Sequence, residues 1–342
     1  MRAIVTADLH FSLYGQDPVM ENGLHETLYY LNNVMRNSIL KYALDNNIEN
    51  CIVAGDVFHN KSIIHAKAMA TFIDIVNDFP SIKFYLIDGN HDHAKLSGDD
   101  VTSLKALEHI PNVNVIHDAI TLDNIYMVPW NCNLIENIKN YPKDKNIDYL
   151  ISHFGLNEGQ LNSGISIISE VGMKSLSEYK YVILGHYHKP QFIENDNTKL
   201  YYVGSPIQLN MGERNEEKRF LDIDFDNHII KSINTEGYKK YFKITLESTN
   251  DEILKEIDTL TNDGHDVILE VTKQNVDLTD IPSNVRIINK IDVDITNRGI
   301  SLDMTESQRL EAYLKIKEIP EDDIKQYIDI ATEVIFSVGS EN

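Results

Sequence analysis

The chain has 342 residues, 42% hydrophobic and 25% charged, the balance of a folded globular protein long enough for more than one domain. Its net charge of −22 argues against a freestanding protein that coats nucleic acid by bulk electrostatics. Most of that charge reads as acidic surface residues that give solubility, and it does not exclude a protein whose partner supplies a cationic surface.

No apolar run is long enough to span a bilayer, so no membrane partner is expected. Cys51 and Cys132 lie in separate segments and fit a reduced, cytoplasmic setting.

Taken in chain order, Arg2 to Ala7 reads as a strand, which leaves no room for a signal peptide. Leu24 to Asn46 carries apolar residues at helical spacing (Leu24, Leu28, Leu31, Val34, Met35, Ile39) and predicts one helix. Cys51 to Ala54 predicts a strand, Ile63 to Asn77 a helix, and Lys83 to Ile87 a further strand. Apolar runs at Val113–Ile116, Ile125–Val128, Tyr149–Ile151 and Tyr181–Leu184 suit strands too. Such alternation implies right-handed crossovers and a largely parallel sheet.

After Pro190 the segments shorten: Gln191–Glu194, Leu200–Val203, Phe220–Phe225 and Ile229–Asn234, the last two joined by a turn at Asp226-Asn227-His228. They read as a second, antiparallel sheet packed on the first. A boundary falls near residues 235–238. Strands at Tyr241–Leu246, Asp266–Thr272 and Ile287–Ile295, with a helix at Asp251–Leu260, suggest a small α/β module. Two helices close the chain. Thr305 is an N-cap candidate for Glu306–Lys317, and Pro320 opens a helix whose apolar stripe is Ile324, Tyr327, Ile328, Ala331 and Ile335.

Five polar motifs each follow an apolar run: Asp8-Leu9-His10, Gly55-Asp56-Val57-Phe58-His59, Gly89-Asn90-His91-Asp92, Ser152-His153 and Gly185-His186-Tyr187-His188. Open α/β sheets bind ligands at the carboxyl ends of their strands, so these residues should converge on one rim. Alternation along an extended segment would point Asp8 and His10 the same way, and likewise His186 and His188. Gly55, Gly89 and Gly185 would permit tight turns. Imidazole and carboxylate without thiolate suit Mn, Fe, Zn or similar divalent ions. Two such ions roughly 3.5–4 Å apart can clamp a phosphodiester and activate a water.

The order D-x-H, G-D-x-x-H, G-N-H-D, H, G-H-x-H resembles the calcineurin-like metallophosphoesterases. The resemblance implies an α/β sandwich of two mixed β-sheets flanked by helices, with a small C-terminal α/β cap and terminal helices. Carried over motif by motif, it implies one metal on Asp8, His10, Asp56 and His188. The other would sit on Asp56, Asn90, His153 and His186, with Asp56 bridging. It further implies that His91 helps the leaving oxygen depart, that Asp92 orients His91, and that His59 supports the same edge.

The stretch Tyr202-Val203-Gly204-Ser205-Pro206-Ile207-Gln208-Leu209, followed by Glu213 and Glu216-Glu217-Lys218-Arg219-Phe220, is similar to SbcD-type nuclease subunits, as is Gly185 to Pro190. That similarity implies a Mn-dependent DNA exonuclease/endonuclease acting in recombination and break repair. Its partners would be DNA, an SbcC-type coiled-coil ATPase and a second copy in a homodimer. The domains would be 1–236 (nuclease), 237–300 (DNA-facing cap) and 301–342 (partner-binding helices). The alternative is a standalone phosphoesterase acting on a small phosphodiester or phosphoprotein.

Each motif residue taken singly suits a polar loop or a satisfied core histidine; together they suit a metal centre. His25, His65, His93, His109, His117, His228 and His265 are left as surface or core residues, with His93 the one nearest the motifs. Tyr187 suits packing and stacking near a substrate equally.

Overall fold

A computed structural model describes residues 1–15, 17–95, 101–140, 142, 145–160, 169, 171–248, 251–273, 276–290, 304, 306–317, 319–321 and 323–328. The chain divides into two compact units, Met1–Lys243 with Asn262–Asp266, and Ile244–Thr261 with Val267–Asn342.

The first unit holds two six-stranded mixed sheets. In the first sheet β1 (Arg2–Thr6), β2 (Asn50–Ala54), β3 (Lys83–Ile87) and β4 (Val113–Ile116) run parallel. The second sheet begins with β5 (Ile120–Leu122), antiparallel to β6 (Ile125–Val128). There β6, β7 (Tyr149–His153), β8 (Tyr181–Gly185) and β10 (Lys199–Tyr202) run parallel, and β9 (Gln191–Glu194) closes the far edge antiparallel to β10. The first sheet is completed by β11 (Arg219–Asp224), antiparallel to β1, and β12 (Ile229–Asn234), antiparallel to β11.

This is the sandwich of two mixed sheets that the resemblance implies. It corrects the simpler reading of a parallel sheet followed by an antiparallel one. The parallel strands are split between the sheets, and the late strands β9 to β12 return to both. Local patterning fixes a strand's faces but not which neighbour it pairs with.

Alternation along the strands builds the layers. Ala3, Val5, Ile52, Ala54 and Ile87 meet Met127, Tyr149, Ile151 and Ile183 in the core between the sheets. Ile4, Cys51, Val53, Phe84 and Leu86 pack on the helical layer through Leu28, Leu31, Phe72 and Ile75. The outer face of the second sheet, with Leu150, Val182 and Leu184, is covered by Leu134, Ile138, Met173 and Leu176.

The predicted helix at Leu24–Asn46 is interrupted. It comprises α1 (Glu26–Asn33), a π-helical segment Val34–Leu40 and α2 (Lys41–Asp45). The wider turn still buries Val34, Met35, Ile39 and Leu40, so the apolar stripe survives the change of hydrogen-bond register. The second predicted helix is α3 (Ala66–Asp78), and α4 (Leu134–Lys139) follows β6.

Later in the chain, β13 (Tyr241–Leu246), β14 (Asp266–Val271) and β15 (Arg286–Asn289) form a three-stranded sheet in that order, β14 and β15 parallel. The helix α5 spans Asp251–Asn262, and α6 spans Glu306–Ile316. Thr305, Ala331 and Ile335 lie outside the described residues, as does the predicted strand end beyond Lys290. No described helix is long and apolar enough to cross a membrane.

Candidate metal centre

The motifs sit where β1, β2 and β3 of one sheet and β7 and β8 of the other reach their carboxyl ends. The rim is therefore shared by two sheets. Close approach there needs glycine. A Cβ on Gly55 (φ +88°) would stand 2.1 Å from His153 Nδ1, one on Gly89 2.2 Å from Asp56 Oδ1, and one on Gly185 2.2 Å from the Ala54 carbonyl oxygen. His153 Nδ1 donates to that same Ala54 oxygen at 2.9 Å, across the sandwich.

The backbone corrects one expectation. Asp8 (φ 52°), His10 (φ 49°), Asp56 (φ 56°) and His186 (φ 93°) are left-handed, not extended. Such conformations are uncommon for residues with a side chain and gather at functional sites. Asp8 and His10 reach the same cluster, but through two left-handed residues around buried Leu9 rather than by pleat alternation.

Seven side chains converge on two adjacent foci. At the first, Asp8, His10 and His188 bring ligand atoms within 4.8 Å of one another, with His10 Nε2 3.0 Å from His188 Nε2. At the second, Asn90 Oδ1 lies 3.0 Å from both His153 Nε2 and His186 Nδ1. Asp56 Oδ2 stands between them, 3.6 Å from His10 Nε2 and 3.3 Å from His153 Nε2. Asp8 also accepts from the His186 backbone N–H at 3.0 Å.

Asp8, His10, Asp56 and His153 are buried, and the ion-pair partners of Asp56 among the described residues are imidazoles alone. Burial and then the neighbouring carboxylate and histidines set the charges. Burial works to raise the Asp56 carboxyl, yet His153 and His10 hold it below the usual carboxylate range. Burial lowers His153, but Asp56 and then Asp8 push it up to about 9. Burial and then His153 bring His186 down to about 3. Asp8 and Asp56 beside His153 thus concentrate buried negative charge that a cation between them would balance. Imidazole, carboxylate and one amide oxygen, with no thiolate, fit hard-to-intermediate divalent ions.

Three more motif residues line the rim. His91 stacks on His59, ring centroids 5.3 Å apart with 20° between the planes. His91 Nδ1 donates to the His59 carbonyl oxygen at 2.6 Å, leaving its Nε2 as the ring's other nitrogen. His59 Nδ1 lies 3.2 Å from His10 Nδ1. Burial, then His91, lowers the His59 imidazole.

Asp92 does something other than the orientation of His91 that the resemblance implies. Its Oδ2 accepts from the backbone N–H of Asp56, Gly89 and Val57 at 3.0, 2.9 and 3.4 Å, and its Oδ1 from Phe58 N–H at 3.2 Å. It ties the Asp56 and Asn90 loops together from below. Burial and then Asp56 and Asp88 push its carboxyl up to about 8, against the pull of those donors.

Sequence reasoning missed the role of Glu213, which accepts from His188 Nδ1 at 2.8 Å. Burial alone would raise its carboxyl; His188 and Lys218 hold it at about 2. Its place in the stretch after Tyr202 was the available signal. Tyr187 is fully buried against Tyr202 and donates to the Leu156 carbonyl oxygen at 3.0 Å, a packing role. His93 is buried beside Asp88, at 3.7 Å, and against Trp130, away from the seven.

The model for calcineurin-like phosphoesterases matches residues 1–190. The chain belongs to that family. Its members bind two divalent metals, and the Asp/His clusters just described are the candidate donors here.

The chain is similar to the SbcD component of nuclease SbcCD from Staphylococcus epidermidis, 25% identical over 210 residues, which is 52% of this chain and 55% of that protein. It therefore spans about half the length of that relative. It is similar also to protein 244L of Invertebrate iridescent virus 6, whose name is that of a phosphoesterase, 26% identical over 202 residues, 54% of this chain and 68% of that one. A dimetal phosphatase from Danio rerio aligns at a TM-score of 0.46 with 9% identity, over 70% of this chain and 97% of that one.

Proposed function

We propose that this phosphoesterase is a Mn-dependent DNA nuclease, the hydrolytic component of an SbcCD-type assembly that processes DNA ends. The observation that carries the hydrolytic half is the pair of adjacent Asp/His foci with Asp56 between them. Asp8, His10, Asp56 and His188 would hold one ion, and Asp56, Asn90, His153 and His186 the other. When bound, the two ions supply positive charge for the phosphate oxygens and lower the pKa of water.

The chain's own residues do the rest. Asp92 fixes the loops that carry Asp56 and Asn90. The His59 carbonyl holds the proton on His91 Nδ1, so Nε2 is the nitrogen that would carry a second proton in the imidazolium and give it to a leaving oxygen, returning the ring to its neutral form. His59 keeps that ring in place by stacking.

The DNA half of the reading rests on residues Tyr202 to Phe220 and on the similarity to the staphylococcal SbcD protein. A net charge of −22 fits a protein whose cationic DNA surface comes from a partner. The same charge also suits the second reading, a standalone enzyme for a small phosphodiester, which needs no DNA surface at all.

Full-length protein loaded with Mn²⁺ is tested on end-labelled duplex DNA and on bis(p-nitrophenyl) phosphate. The nuclease reading expects both to be cleaved, with loss on chelation. Turnover of the small diester alone, with DNA intact even beside a coiled-coil ATPase, would favour the second reading. Removal of residues 301–342 should abolish capture by such an ATPase under the first reading and leave activity and assembly unaffected under the second.

A further inference from the structure

Glu213 is completely buried, and three of its partners, the Asn210 amide nitrogen on one oxygen and the Leu209 N–H and Lys218 ammonium on the other, can only donate. Its Oε1 accepts from His188 Nδ1 at 2.8 Å and from Asn210 Nδ2 at 3.3 Å. Its Oε2 accepts from Ser205 Oγ at 3.1 Å and Leu209 N–H at 3.2 Å, and pairs with Lys218 Nζ at 2.7 Å. Such a set suits only an ionised carboxylate, which has no proton to offer. Lys218, also completely buried, neutralises that charge and reaches Glu216 Oε2 at 2.8 Å.

The same Lys218 donates to the His188 carbonyl oxygen at 2.9 Å. The buried pair therefore grips one histidine twice, at the ring through Glu213 and at the backbone through Lys218. A carboxylate can only accept, so the proton of a neutral His188 ring must sit on Nδ1. The lone pair is then on Nε2, the atom that faces His10 Nε2 at 3.0 Å.

We infer that Glu213 is the positioning residue of the first ion site, selecting the tautomer and ring orientation of His188 and making its Nε2 a stronger ligand. This rests on the ligand assignment proposed above. The second site is built differently: His153 Nδ1 donates to a backbone carbonyl, that of Ala54. A carboxylate behind a ligating imidazole raises its basicity more than a neutral acceptor does. The two sites would thus differ in their outer support, and among the described residues it is the first whose ligand His188 is held by the chain between Ser205 and Lys218. That stretch thereby serves the metal centre directly.

The test uses full-length, metal-free wild type and Glu213→Gln, titrated with Mn²⁺ by calorimetry and counted by electron paramagnetic resonance. The glutamine amide has one acceptor oxygen for donors on two sides, and no charge for Lys218. Wild type should bind two ions. In Glu213→Gln one ion should keep its affinity and the other should weaken by about ten- to a hundredfold, the range typical for loss of an outer-shell partner.

A folded Glu213→Gln protein with two unchanged affinities would overturn the role of Glu213 and leave the two-metal reading standing. Wild type that binds no ion would overturn both. Should the variant fail to fold, the ¹⁵N spectrum of histidine-labelled wild type with Zn²⁺ decides. The inference expects His188 protonated at Nδ1, and a proton on Nε2 overturns it.

Discussion

His91 lies face to face with His59, 20° between their planes, and donates from Nδ1 to the His59 carbonyl oxygen at 2.6 Å. Its backbone N–H donates to Asp56 Oδ1 at 2.8 Å, so the ring is fixed at the edge of the candidate metal centre, beside His10 and His59. Replacing His91 by alanine should leave two ions bound and lower hydrolysis by about a hundred- to ten-thousandfold, the usual contribution of a positioned acid. Metal content and turnover are measured on the same sample. Loss of an ion from the variant would refute this separation of roles.

Asp56 Oδ2 stands between the two foci, 3.6 Å from His10 Nε2 and 3.3 Å from His153 Nε2, and under the proposed assignment it would bridge the ions. Asp56→Ala should weaken both ions, whereas His186→Ala should weaken one. Elemental analysis after gel filtration distinguishes these outcomes. Retention of one tightly held ion in Asp56→Ala would mean that Asp56 does not bridge.

Gly55 combines a left-handed φ of 88° with a space already filled by His153, 2.1 Å from where a Cβ would stand. Gly55→Ala must displace His153 or unwind the turn. Overpacking of this kind costs typically about 1–3 kcal/mol, and the strained φ adds to it. Thermal unfolding of metal-free protein should register the loss, and Mn²⁺ affinity should fall with it. An unchanged melting temperature would show that the two sheets have slack here.

His117 offers a pH test away from the ligands. Its Nδ1 lies 2.6 Å from Asp88 Oδ2 and its Nε2 2.9 Å from Glu108 Oε1. The Asp88 hydrogen bond, chiefly, raises its pKa above the ordinary histidine value. Folding therefore favours the protonated ring. That stabilisation is complete below the unfolded value of about 6.5 and disappears as pH rises through the higher folded value. The stability gap between wild type and His117→Gln should be wider below the unfolded value than above the raised folded one. A gap that grows with pH would contradict the assignment.

Strand positions were legible because each is a short apolar run ended by a polar or glycine-containing motif. Val113–Ile116, Ile125–Val128, Gln191–Glu194 and Ile229–Asn234 are found with the bounds read from sequence. Sheet membership was not legible, since β10 lying beside β8 and β11 beside β1 are long-range choices. The π-helical segment at Val34–Leu40 keeps the apolar stripe of an α-helix and so leaves no mark in the periodicity.

At the site, the motif residues themselves were readable from their order along the chain. The left-handed turns at Asp8, His10, Asp56 and His186 were not, because they depend on bonds such as that from Asp56 N–H to Asp92 Oδ2. Nor were the roles of Asp92 and Glu213, whose partners lie up to 36 and 25 residues away in sequence.

The central claim is that two ions share Asp56. The most direct measurement is an anomalous difference map from crystals grown with Mn²⁺. The account predicts two peaks roughly 3.5–4 Å apart, one among Asp8, His10, Asp56 and His188, the other among Asp56, Asn90, His153 and His186. A single peak, or two peaks with Asp56 touching only one, would contradict it.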